Sequence, residues 1–149
     1  MDDNGIDYKN YTHDAFFTVE DSKSFEHNIP ATHAKTLFVK NKKWNFAMIT
    51  LLSHKKLDSK FFRNQSWFGD FSFASPDELR DQLRVRPWSV GIFGLINNPA
   101  IHLYIDSDIW NSEYIWRHPN DNTSTTVISS IWLCKYLKIL DIKYDILEL

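Results

Sequence analysis

The chain has 149 residues, 43% hydrophobic and 24% charged, with a formal net charge of −2. That length and balance fit one soluble globular domain over residues 1–149 and exclude a disordered chain. A cytoplasmic, reducing setting is expected: no apolar run approaches the roughly 20 residues needed to cross a bilayer, Met1-Asp2-Asp3 is unlike a leader, and one cysteine excludes an internal disulfide.

In chain order, Thr18-Val19-Glu20-Asp21 reads as a capped helix start, with the helix running to about Phe25 and stopping before Pro30. Lys35–Val39 and Trp44–Leu52 read as strands, and the polar Asn41-Lys42-Lys43 between them makes a hairpin. Asp58–Gln65 suits a short helix and Phe71–Phe73 a brief strand. Ser75-Pro76-Asp77-Glu78 then offers a serine cap, a first-turn proline and a glutamate three residues after the cap. The helix it opens carries Leu79 and Leu83 on one face and ends before Pro87. Val90–Pro99 is apolar and holds two of the four glycines, so it reads as a bent strand. Ile101–Ile105 alternates as a strand, Asp108–Tyr114 reads as helix, and Thr123–Val127 is β-branched and strand-like. A helix from Ile131 to Leu140 and a strand over Tyr144–Leu147 finish the chain. Cys134 shares a helix face with Ile131 and Leu137 and is expected to be a small buried hydrophobe. Elements interspersed without strict βαβ alternation predict an α+β (mixed α/β) fold on a mixed sheet.

The charge is unevenly spread. Between Lys35 and Arg63 stand eight lysines and arginines against Asp58 alone, whereas the charged residues before Lys35 are mostly acids. Such a stretch is either a phosphate-facing surface or an ordinary solvated face. No Gly-x-Ser-x-Gly, phosphate-binding glycine loop or Gly-x-Gly-x-x-Gly occurs, and the six histidines have no metal-ligand spacing, so neither metal nor cofactor is expected. Two segments stand out, Phe93-Gly94-Leu95-Ile96-Asn97 and His118-Pro119-Asn120-Asp121-Asn122-Thr123. Read from their residues alone, they are a sharp bend and an Asn-rich turn, or they line a site.

Four blocks carry a resemblance. Lys35-Thr36-Leu37-Phe38-Val39-Lys40-Asn41-Lys42-Lys43 is similar to a "Lys-Asn-Leu-Phe-Leu-x-Asp-Lys-Lys" strand. Phe73-Ala74-Ser75-Pro76-Asp77-Glu78-Leu79 is similar to "Phe-Ala-Ser-Pro-Glu-Glu-Leu", and the two segments just named to "Phe-Gly-Leu-Ile-Asn" and "His-Pro-Asn-x-Asn-Thr". These blocks, in that order and spacing, resemble the YbaK/ProX-type aminoacyl-tRNA editing family, in particular the free-standing alanyl-tRNA(Pro) deacylases; Tyr8–Glu20 resembles the family's entry segment.

The resemblance implies a single-domain fold with a mixed, mostly antiparallel sheet or open barrel flanked by helices. It implies hydrolysis of the ester of a mischarged tRNA, most directly Ala-tRNA(Pro), in trans. The ligand would be the acylated 3′ acceptor end of tRNA, with prolyl-tRNA synthetase as a further partner and neither DNA nor membrane involved. Lys35 is then the key basic residue, and backbone around Gly91 and Gly94 stabilises the oxyanion, since such an ester needs placement and charge stabilisation more than a protein nucleophile. Thr36, Val90, Ile92, Phe93, Leu95, Asn97, His118, Asn120 and Asn122 would line the aminoacyl pocket, and Lys42, Lys43, Lys55 and Lys56 would face tRNA phosphate. Two departures from the family pattern bear on this. Thr36 replaces the asparagine of its Lys-Asn pair, and Trp88-Ser89-Val90-Gly91-Ile92 replaces a loop with glycine first and Ser-Pro inside. A tRNA- or synthetase-binding module without hydrolysis is the alternative those departures leave open.

Overall fold

The frame is a hairpin. In the computed structural model, which describes residues 8–12, 31–117 and 124–149, β-branched and aromatic residues put Thr32–Asn41 and Phe46–Leu52 into strands β2 and β3. They pair antiparallel from Ala34↔Leu52 to Lys40↔Phe46. Asn41 closes the turn: its side-chain oxygen accepts the backbone N–H of Lys43 at 2.9 Å and of Asn45 at 3.0 Å. Trp44, expected in the strand, is drawn into this turn instead and takes a left-handed φ of 63°.

Around the hairpin the remaining strands are β1 (Tyr8–Thr12), β4 (Phe71–Phe73), β5 (His102–Asp106), β6 (Tyr114–Arg117), β7 (Ser124–Ser129) and β8 (Tyr144–Leu147). The sheet runs β1-β7-β6-β2-β3-β5-β8, with β4 also on β2. Its β2–β6, β3–β5 and β5–β8 pairs are parallel and its other four antiparallel, the mixed sheet expected. Successive side chains of a strand point to opposite faces, so the sheet packs on both. On one face Ala34, Phe38, Met48, Leu103 and Ile105 meet Leu79 and Leu83 of α2 (Pro76–Leu83) and Leu133 and Leu137 of α4 (Ser130–Ile139). On the other, Val39, Ala47, Ile49, Leu51 and Tyr104 surround Phe62 of α1 (Ser59–Gln65). The Phe62 ring meets Phe71 and Tyr104 edge-on, with centroids 5.4 and 5.0 Å away.

Local signals set the helix ends. Asp58 caps α1 by accepting the Phe61 N–H at 3.0 Å. Ser75 and Glu78 form the capping box of α2, in which the Glu78 carboxylate accepts the Ser75 N–H at 2.7 Å. Arg84 then ends the helix in the left-handed conformation. No described helix is long and apolar enough to cross a membrane.

Three segments differ from the sequence reading. Residues expected as a bent strand over 90–99 instead wind into a 3-10 turn, Ile92–Asn97, which follows a shorter one at Pro87–Ser89. Periodicity cannot separate a buried strand from a buried turn when every residue is apolar. The helix expected over 108–114 is a single turn, α3 (Ser107–Trp110), and Tyr114 begins β6, whose aromatic and β-branched residues suit a strand. β1 had no strand assignment from sequence; it forms by pairing Tyr8–Thr12 with β7. Cys134 is half-buried rather than buried. The helix expected over Thr18–Phe25 lies outside the described residues.

Phe62 has no solvent exposure, and its truncation leaves a cavity that α1 can only partly fill. We expect Phe62→Ala to lose about 3–5 kcal/mol in urea unfolding, while Trp67→Ala, at a side chain open to water on all sides, changes stability by no more than ~0.5 kcal/mol.

Candidate functional site

Lys35 is the fourth residue of β2, towards the end where the hairpin opens, half-buried and directly opposite Leu51. Its Nζ donates to the backbone carbonyl of Lys55. Burial, and after it the positive charge of Lys56, push the Lys35 ammonium below the usual lysine pKa. A cation so placed binds an anionic or carbonyl oxygen at less desolvation cost than it would incur on leaving bulk water, because part of that cost is already met in folding. Thr36 points to the opposite face from Lys35 and pairs across the hairpin with Thr50, whose hydroxyl donates to the Lys35 carbonyl at 3.3 Å.

The 91–97 bend is built differently. Ile92, Phe93, Gly94 and Leu95 are buried, in the face of the sheet that holds Ala34 and Phe38. Gly91 is extended at φ −161° and opens the 3-10 turn with no side-chain cap. The Gly94 N–H donates to the Gly91 carbonyl at 2.9 Å, so this amide is used within the turn. Of the expected oxyanion donors, that leaves the amides at the head of the turn rather than that of Gly94. From α4, the buried Tyr136 hydroxyl shares its proton between the carbonyls of Ile92 and Phe93 at 3.2 and 3.3 Å. Its ring meets Phe93 edge-on, 5.4 Å between centroids, and burial pushes its pKa far above the usual tyrosine value. Asn97 donates to the Leu83 carbonyl at 2.7 Å, holding the end of the turn to α2. Val90 is half-buried ahead of the bend. Tyr136 carried no signal in the sequence, since an apolar-faced helix tyrosine reads as core until its hydroxyl partner is seen.

The described residues therefore form two parts. Lys35, by strand alternation, faces the side of the sheet opposite to that which buries the bend. His118, Asn120 and Asn122, expected to complete the pocket, lie outside the described residues.

The four lysines expected at phosphate also separate. Lys42 and Lys43 are exposed at the hairpin tip, and Lys56 is exposed beside Lys35. Lys55 is committed internally. Its ammonium donates to Asp106 at 2.8 Å, to Asp108 at 2.5 Å and to the carbonyl of Leu149 at 2.9 Å, which occupies all three of its N–H groups. Asp106 has no solvent exposure, and a buried carboxylate needs such a partner. The expectation that Lys55 faces tRNA thus gives way to a structural role that sequence spacing, 51 residues apart, could not reveal.

Residues 13–134 match the family model described as an aminoacyl-tRNA editing domain. The prolyl-tRNA editing protein ProX of Acetoanaerobium sticklandii is 26% identical over 152 aligned positions, covering the whole of this chain and 93% of that protein. Two crystal structures share the fold at low identity. One is of the hypothetical protein APE2540, with TM-score 0.76, 12% identity, and coverage of 96% of this chain and 92% of that one. The other is of a protein described as a candidate trans-editing enzyme for prolyl-tRNA synthetase, with TM-score 0.71, 15% identity and coverage of 93% and 84%.

Lys55→Met should destabilise the protein by about 2–3 kcal/mol, less than for a fully buried pair because Lys55 keeps part of its surface in water. Although burial lowers the Lys55 pKa, its bonds to Asp106 and Asp108 outweigh that and raise it. A raised pKa means stabilisation that is complete below the unfolded lysine value of about 10.4 and is lost as pH rises through the folded one. Urea midpoints measured from neutral pH upward past the unfolded lysine value of about 10.4 should begin to fall at the alkaline end for the native protein and stay flatter for Lys55→Met.

Proposed function

The chain belongs to the aminoacyl-tRNA editing domain family, and from that premise we propose that it is a free-standing hydrolase. It removes a wrongly attached amino acid from tRNA in trans, with alanyl-tRNA(Pro) as the leading substrate. The observation that carries this reading is Lys35, a half-buried cation held by one backbone carbonyl at the mouth of the hairpin. Main-chain carbonyls are modest partners for an ammonium compared with anionic oxygens. A phosphate oxygen near the acylated end of the RNA can therefore displace the Lys55 carbonyl, with Lys56 adding charge alongside.

The chemistry required is small. Water attacks the ester carbonyl, the oxyanion is stabilised, and the bond to the ribose oxygen breaks as that oxygen takes up a proton, giving free amino acid and tRNA. No protein nucleophile enters. In this reading the amides at the head of the 92–97 turn face the oxyanion, Tyr136 holds that backbone still, and His118, Asn120 and Asn122 bound the aminoacyl group. Thr36 in place of an asparagine, and a loop without proline, make serine and threonine esters the next candidates after alanine. Prolyl-tRNA synthetase is the natural docking partner of an enzyme that clears its errors.

A second reading has its own support. The Gly94 amide is spent on Gly91 and the bend is sealed into a buried face, as suits a domain that holds tRNA or a synthetase without cleaving the ester. The two are separated by one assay. On a panel of tRNAs charged with alanine, serine, threonine, cysteine or proline, the native protein should accelerate loss of at least one small wrong ester, and Lys35→Ala should cut that rate by at least about 100-fold, the usual scale for removing one electrostatic stabiliser. Unaltered ester lifetimes with intact tRNA binding would instead establish the binding module. Tyr136→Phe, which keeps the ring and removes the hydroxyl, should lower the rate about tenfold at unchanged KM, the kinetic mark of a misplaced backbone.

A further inference from the structure

At the other end of β2, two tight turns lie side by side and each carries a tryptophan. The hairpin turn presents Trp44, 69% exposed, and the turn between α1 and β4 presents Trp67, fully exposed. The two turns are joined: the Asn41 side-chain amide donates to the Phe68 carbonyl at 3.1 Å. Two shallow grooves open here, of about 410 and 330 Å³, and share Asn41, Lys42 and Asp70 as their common ridge. Trp44 walls the first and Trp67 the second.

Large apolar rings left in water are costly, and a folded domain rarely keeps two so close without a use. The costs extend to the backbone. Trp44 is a bulky residue in the left-handed region, φ 63°. The charge beside the rings is positive. Lys40 lies under the Trp44 ring, 4.5 Å from its centroid, and Lys42 and Lys43 flank the ridge. The carboxylates at hand are already paired: Asp70 with Arg63 and Lys42, and Glu78 with Lys40 at 2.5 Å. Four cations stand against two carboxylates on a chain whose net charge is −2.

We propose that this platform is a second RNA-binding surface, which stacks unpaired bases of the tRNA on Trp44 and Trp67 while Lys42 and Lys43 contact the adjoining phosphates. Flat rings interleaved with cations suit a nucleic-acid strand, whose bases and charges alternate in the same way. From Lys35 to Asn41, at the foot of the platform, is six strand residues, about 20 Å at the usual rise. The platform therefore cannot touch the acylated nucleotide that Lys35 holds, and must meet a part of the RNA well removed from the ester. This inference rests on the proposed use of tRNA as substrate and adds to it a site that holds unpaired RNA away from the ester.

The test uses the full chain with uncharged tRNA, a short unstructured RNA oligonucleotide, and an aminoacyl-adenosine ester too small to span the two sites. Trp44→Ala and Trp67→Ala should each weaken tRNA and oligonucleotide binding by roughly tenfold, within the range of base–aromatic stacking, with the salt dependence unchanged. Lys42→Ala and Lys43→Ala should each reduce the salt slope by about one. Trp44→Phe, which keeps a stacking face, should restore most of the affinity and controls for the strained turn. Tryptophan removal should raise KM for charged tRNA and leave hydrolysis of the small ester untouched. Equal tRNA affinity in native protein and a Trp44→Ala/Trp67→Ala double variant would overturn the proposal, as would loss of only a protein partner from those variants. Should the native protein hydrolyse neither ester yet lose RNA binding on tryptophan removal, the deacylase reading fails and the platform stands.

Discussion

A carboxylate without access to water must be neutralised from inside the protein, and Asp106 is that carboxylate. Lys55 meets it from the segment after β3, while the second Asp106 oxygen accepts the N–H groups of Asp108 and Leu149. One buried charge thus ties β3, the start of α3 and the end of the chain to β5. The same lysine offers its own backbone carbonyl to Lys35. The position of the candidate basic residue is in this way inherited from a structural ion pair: where Lys55 must go to serve Asp106 decides where its carbonyl waits for Lys35.

Strand alternation supplies the other constraint. Because β2 is buried on both faces, each of its residues must serve one of two cores. Phe38 goes with Met48 and the bend, Val39 with Phe62, and Lys35 at the open end falls on the Phe62 side, near the margin where its ammonium reaches a polar partner. The bend is fixed from a different quarter, through Tyr136 on α4. Two independent supports hold the two halves of the candidate site.

The lysines of one basic stretch divide by the same logic. Lys55 is consumed by the interior, Lys56 shapes the environment of Lys35, and Lys42 and Lys43 stand with two exposed tryptophans at the far end of the hairpin. Charge density along the sequence treated them alike. Their roles differ because the hairpin carries them to opposite ends of two strands and because only one of them meets an unavoidable buried anion.

What the sequence determined by itself was whatever depends on neighbours along the chain. The α2 capping box, the Asn41 turn, the pairing of β2 with β3 and the buried faces of Leu79 and Leu83 follow from local spacing, and the four family blocks were visible as strings of residues. Tertiary structure alone decided what depends on distant partners. The apolar 92–97 segment is a 3-10 turn rather than a strand, and Tyr136, 44 residues away, takes the carbonyls of Ile92 and Phe93. Lys55 turned inward because Asp106, 51 residues on, has no water. Trp44 and Trp67, unremarkable in their own segments, became one surface only when Asn41 bound the carbonyl of Phe68. Local preferences are worth fractions of a kcal/mol per residue, whereas leaving a buried charge or hydroxyl unpaired costs several times as much. Where the two compete, the distant partner prevails, and no string of residues announces it.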